Sequence, residues 1–139
     1  MKILGLDLGE KRTGVAISNE INNQCSSLNE INASNSEILV NKINIIIKEN
    51  KIEKLIIGLP KLLNGTEGDR AIFSRLIAKK IKASNKEIRI VLWDERLTTE
   101  QAFKSMKSTG MKIKNIKSKL NSVSAIIILE SYLQNENTK

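Results

Sequence analysis

Three short, nearly unbroken apolar runs limit the folds open to this chain more than any other feature. They are Ile3-Leu4-Gly5-Leu6-Asp7-Leu8, Leu55-Ile56-Ile57-Gly58 and the stretch from Ile88 to Trp93. Each has the length of a strand, and apolar residues at successive positions mark a strand covered on both faces. Between them lie stretches of helical period. Ile38, Leu39, Ile43, Ile46 and Ile47 form one, and Ile72, Phe73, Leu76, Ile77 and Ile81 form the other. Ser34 with Glu37 three residues on reads as a capping box for the first helix, and Asn50-Lys51 as its stop.

The remaining elements follow from turn and period signals. Met1 to Leu8 is the first strand, Gly9 to Gly14 a turn, Val15 to Ser18 a returning strand, and Cys25 to Ile31 a third strand anchored by Leu28. After Asp94-Glu95-Arg96 a helix capped by Thr98 runs to Gly110, and a lysine-rich loop follows. A last helix from Leu120 to Leu133 turns Val123, Ile126, Ile127 and Leu133 to the core. Three strands joined by short turns give an antiparallel meander, and strands alternating with helices pair in parallel. The expectation is an α/β fold with a mixed five-stranded sheet: strands 1–3 antiparallel, 4–5 parallel, helices on its faces. Residues 1–133 form one domain and 134–139 a polar tail. Periodicity alone leaves other three-layer α/β folds open.

Composition excludes much chemistry. The 139 residues contain no histidine and one cysteine, Cys25. Ser-His-Asp and Cys-His catalysis, His-containing zinc sites and an internal disulfide are therefore out. What remains is carboxylates, lysines, hydroxyls or a metal held by oxygen. A net charge of +8 favours a polyanionic partner, nucleic acid first. Between Glu100 and Glu130 no acidic residue occurs, while Lys104, Lys107, Lys112, Lys114, Lys117 and Lys119 all do. Such a run can lie along phosphates or form a solvated face. The apolar runs are far shorter than a membrane span, and no signal peptide is visible, so the expected location is cytoplasmic.

Asp7 is the first candidate for chemistry. A carboxylate in an apolar strand is costly to bury without a partner or a metal. It can equally be a turn residue bonding the amides of the Gly9–Gly14 hairpin. Asp94-Glu95-Arg96 stands at the carboxyl end of another buried strand, where sites of open α/β sheets form. Were the two strands neighbours, Asp7 and Glu95 could converge on one divalent cation, and oxygen-only ligation suits Mg²⁺ or Mn²⁺. The alternative is an Asp94–Arg96 surface ion pair. Gly58-Leu59-Pro60 with Asn64-Gly65-Thr66 reads as a plain turn or as amides offered to a phosphate. Lys11 and Arg12 are phosphate contacts if Asp7 is catalytic, and solvated charges otherwise.

These segments together resemble the YqgF/RuvX family. The likeness rests on Gly5-Leu6-Asp7-Leu8-Gly9 with Lys11-Arg12-Thr13-Gly14-Val15-Ala16, then Gly58-Leu59-Pro60 and Asn64-Gly65-Thr66. Asp94-Glu95-Arg96-Leu97-Thr98-Thr99 follows, and Ser122-Val123-Ser124-Ala125 with Ile128-Leu129-Glu130-Ser131-Tyr132 closes the series. The resemblance implies a ribonuclease H-like fold related to Holliday junction resolvases. It also implies a cytoplasmic nuclease that matures the 5′ end of 16S ribosomal RNA, with Asp7 and Glu95 as two of three metal-binding acids. The third acid's position holds Asn121, whose neutral amide binds a cation more weakly and cannot act as a base. Glu130 cannot replace it, since it lies about 13 Å further along the helix. Lys11, Arg12, Arg96, Lys112, Lys114 and Lys117 would contact nucleic acid. Three other readings stand beside this one: a DNA junction resolvase, an RNA-binding ribosome-assembly factor without turnover, and a kinase-like ATPase.

Overall fold

The computed structural model describes residues 1–18, 24–62, 64–95 and 124–135. Its elements run β1 (Ile3–Leu8), β2 (Arg12–Ser18), β3 (Cys25–Asn32), α1 (Ser36–Asn50), β4 (Lys54–Leu59), α2 (Asp69–Ser84) and β5 (Arg89–Asp94). A last helix, α3, covers 124–135. The strands form one sheet in the order β3-β2-β1-β4-β5. β1 pairs antiparallel with β2 and parallel with β4; β2–β3 is antiparallel and β4–β5 parallel. The expected mixed sheet is thus the observed one.

β1 holds the middle of the sheet. Its even residues Leu4, Leu6 and Leu8 enter a large apolar cluster with Leu55 and Ile57 of β4, Ile43 and Ile47 of α1, and Ile77 and Ile81 of α2. Each fully buried aliphatic side chain of this kind contributes about 1.5–3 kcal/mol. The odd residues face a smaller cluster of Ile3, Ala16 and Ile56 under Ala125, Ile128, Leu129 and Tyr132 of α3. At Gly5 the helix sits almost on the strand. A Cβ there would stand 3.0 Å from the Leu129 Cβ and 3.2 Å from the Ala125 carbonyl oxygen. Two helical turns on, the Tyr132 hydroxyl receives the Lys54 ammonium at 2.7 Å, so α3 runs back toward the start of β4. Trp93 packs edge-on against the Tyr132 ring at 5.5 Å and donates its indole N–H to Ser131.

Several expectations shift. β2 starts at Arg12, so the turn is only Gly9 to Lys11; Gly9 lies against the Arg12 carbonyl, too close for any Cβ. The cap of α1 is Asn35, whose side chain accepts from the Ile38 amide at 2.9 Å, and not Ser34. The stop is as expected, with Lys51 left-handed at φ 53. On α2 the buried face is Ala71, Ser74, Ile77, Ala78 and Ile81, while Ile72 and Leu76 are exposed. The helix turns the stripe 71, 74, 77, 78 and 81 to the sheet, which leaves Ile72 and Leu76 on the outer side. β5 is an edge strand and only half-buried, not a fully covered one. The core side of α3 is Ala125, Ile128, Leu129, Tyr132 and Leu133, with Ile126 and Ile127 only partly buried. This helix continues through residues 134 and 135. The expected helix from Thr98 to Gly110, the lysine-rich loop and Val123 lie outside the described residues.

The contact at Gly5 is testable. Gly5→Ala forces the α3 backbone away from β1 and should cost about 1–3 kcal/mol, the usual range for overpacking. Urea denaturation of the two proteins measures it. An unchanged midpoint would mean that the helix does not press on the strand.

Candidate active site

Asp7 stands near the carboxyl end of β1 on its odd face, among glycines. Gly5 lies two residues before it, Gly14 is its antiparallel partner on β2, and one step past the Leu6–Ile57 pair on the parallel side is Gly58. None of the three offers a side chain, so the carboxylate stands in a clearing. β5 is not the neighbour of β1, because β4 lies between them. Glu95, directly after β5, nevertheless reaches Asp7 by crossing over Gly58. A Cβ on Gly58 would fall 2.7 Å from the Glu95 Cγ and collide with the carboxylate. The condition that the two strands be adjacent is therefore replaced by a glycine on the strand between.

The two carboxyl groups are hydrogen-bonded to each other. Glu95 is only 9% exposed, and burial first, then the hydrogen bond and the charge of Asp7, push its pKa up to about 9. Arg70 opposes the shift and Asp94 adds to it. Two like charges cannot both be ionised at close range in a poorly solvated site. Something positive must be shared, either a proton or a cation. The donors are hard oxygens without nitrogen or sulfur, the set that suits Mg²⁺ or Mn²⁺. The residues thus fit such an ion, although among the described residues no three acidic, His or Cys side chains gather at one point.

Lys11 and Arg12 line the same open cavity of about 370 Å³ as Asp7, together with Glu30 and Arg70. Arg12 makes an exposed, 3.9 Å pair with Glu30. Arg70 escaped the sequence reading. It stands in the first turn of α2 and donates to the Leu8 carbonyl at 3.3 Å. Only its position two residues after Gly68, at a helix start, could have flagged it. Asn121, Arg96, Lys112, Lys114 and Lys117 lie outside the described residues.

One segment takes the plain-turn reading. The loop after β4 is a closed turn: the Leu62 amide donates to Thr66, Gly65 donates to Leu62, and Thr66 donates to the Asn64 side chain. Those amides are spent inside the loop and are not offered to a phosphate, and Gly58 belongs to β4. Cys25 has its thiol pushed up to about 11, chiefly by burial and then by Glu130, which makes it a poor nucleophile.

This sheet order, with helices on both faces and carboxylates at the carboxyl ends of β1 and β5, defines a ribonuclease H-like domain. A resolvase of fowlpox virus, solved with Holliday junction DNA, superposes on it with a TM-score of 0.58, covering 97% of this chain and 98% of that one at 14% identity. Over residues 1–135 the chain matches the family described as "RuvX: Holliday junction resolvase", and it belongs to that family. A Bacillus subtilis protein is 35% identical over 139 residues, 99% of this chain and 100% of its own length. A Sulfurihydrogenibium protein is 41% identical over 133 residues, covering 95% of this chain and 89% of its own. Both are named "Putative pre-16S rRNA nuclease". Family membership puts the chain among hydrolases of the nuclease class.

The carboxylate pair gives a pH signature in the metal-free protein. Glu95 has a folded-state pKa above its unfolded one, so its favourable contribution is complete at low pH. It is lost as pH rises from the ordinary carboxylate range toward about 9. In chelator, Glu95→Gln should melt higher than the parent at pH 8 and show a flatter stability profile between pH 5 and 8. Thermal melts across that range check it. Parallel profiles would mean that the two carboxyl groups do not meet.

Proposed function

We propose that the chain is a divalent-metal-dependent endonuclease that cleaves phosphodiester bonds in structured nucleic acid, with the 5′ side of pre-16S ribosomal RNA as its substrate. The observation that carries this reading is the meeting of Asp7 and Glu95 across Gly58 at the end of an apolar sheet. No fold needs a buried carboxylate pair there, and its cost is justified by binding a cation.

Asp7 and Glu95 would hold Mg²⁺ or Mn²⁺, with Asn121 adding at most a neutral oxygen. When bound, such an ion supplies an activated water and neutralises charge on the phosphodiester. The chain's own side chains do the rest. Lys11 and Arg12 sit on the rim of the Asp7 cavity, where they would neutralise flanking phosphates. Arg96, Lys112, Lys114 and Lys117 would extend that contact. The net charge of +8 accords with a polyanionic substrate. Few aromatic residues are available for stacking, so recognition would be led by shape and phosphate. Among the described residues no helix is long and apolar enough to cross a membrane.

Asn121 favours a second reading, a ribosome-assembly factor that binds RNA without turning it over. Cleavage assays on a pre-16S leader and on a four-way DNA junction decide among RNA nuclease, DNA resolvase and binder. The nuclease reading expects cleavage of the leader with Mg²⁺ and none in chelator. It expects a loss in Asp7→Asn greater than the roughly 10–100-fold typical of a residue that only supports a metal ligand. Salt-sensitive binding of the leader without cleavage would replace this reading by the second. Asn121→Asp should raise cleavage most at low metal concentration; no gain in a folded protein would argue against Asn121 belonging to the site.

A further inference from the structure

We infer that Arg70 is the residue that grips the reacting phosphate, with its guanidinium held beside the carboxylate pair by the Leu8 carbonyl and its remaining donors turned to substrate. The inference rests on the nuclease reading only for which phosphate is reacting. That a phosphate is gripped there is tested separately.

Three observations support it. Arg70 lines the cavity that contains Asp7, beside the end of β1. Yet among the described residues it forms no ion pair within 4.0 Å; the ion pairs found are Arg12–Glu30 and Arg75–Glu67. Its hydrogen bond goes to a neutral acceptor, the Leu8 oxygen at the end of β1. That bond uses one of five guanidinium donors, and the residue is otherwise exposed.

The consequence is chemical. An arginine bound directly to Asp7 or Glu95 would compete with a cation for them. Held by a carbonyl one residue along the strand, it leaves both carboxylates to the ion and presents a planar fork to the same space. A guanidinium matches two phosphate oxygens at once, which an ammonium does not. Its full positive charge would stabilise an oxygen that gains charge during displacement. Arg75, one turn further along α2, is by contrast neutralised by two 2.6 Å bonds to Glu67. Of these two arginines on one helix, only the one at the cavity lacks an ion-pair partner among the described residues.

The test is a binding scan that does not depend on turnover. In an Asp7→Asn background, a short RNA stem-loop with a single-stranded flank is titrated by fluorescence anisotropy. Each phosphate of the flank and its junction is replaced in turn by a neutral methylphosphonate. Adding Arg70→Ala should weaken binding of the unmodified RNA roughly ten- to hundredfold. It should also lower the salt slope by about 0.7–0.9. One methylphosphonate position should weaken binding to the parent but have no further effect on the Arg70→Ala protein. Arg70→Lys should restore the salt slope but only part of the affinity. Penalties that simply add at every position, or an unchanged affinity, would overturn the inference, as would a loss matched by a collapse of the melting temperature in both variants. Failure of the wild-type protein to cleave in Mg²⁺ counts instead against the nuclease reading. If it does cleave, the bond cut must be the one at the position the scan finds, and a different bond also overturns the role of Arg70.

Discussion

Strand β1 is hydrogen-bonded on both edges and covered on both faces, and it carries a carboxylate at its end. That one constraint organises the molecule. A strand with two partners cannot slip by a residue without turning Leu4, Leu6 and Leu8 out of the larger cluster. Its alternation therefore fixes which face Asp7 occupies. Residues on that face are kept small wherever something must come close: Gly5 beneath α3, Gly14 and Gly58 beside Asp7. The position of the carboxylate follows from packing elsewhere, not from any interaction made by the carboxylate itself.

Stability and chemistry are divided between the faces. The α1–α2 face holds the larger apolar cluster, whereas the α3 face combines a smaller one with the polar site. Burying Glu95 against Asp7 works against folding, and the aliphatic side chains on the other face of the sheet offset that cost. Among the described residues, local strain from like charges is thus separated by a full sheet thickness from the larger apolar cluster, which is how a marginally stable domain can tolerate it.

Much of this was legible in the sequence because period and composition report burial directly. The antiparallel start, the parallel second half, and the placing of Asp7 and Glu95 at strand ends could all be read from apolar spacing. What could not be read depends on relations between elements. That Glu95 crosses an intervening strand follows from sheet order and from Gly58, which in one dimension looked like part of a loop. The exposure of Ile72 and Leu76 depends on which face α2 turns to the sheet, and the small Ala71, Ser74 and Ala78 on that face give no strong apolar signal. The Asn35 cap and the Ser34 alternative differ by one residue, below what a pattern of polar residues resolves. Arg70 gave no signal because an arginine at a helix start is ordinary until its neighbour is known to be the end of β1.

The close seating of α3 on Gly5 joins parts of the chain separated by some 120 positions. Contacts that distant form late, since the loop they close has to be gathered first. During synthesis the stretch through β5 can already complete the larger cluster before α3 has been made. The growing chain would then hold its acidic pair on a face still lacking its helical cover, so that the enclosure of that face is among the last events in maturation of the protein itself.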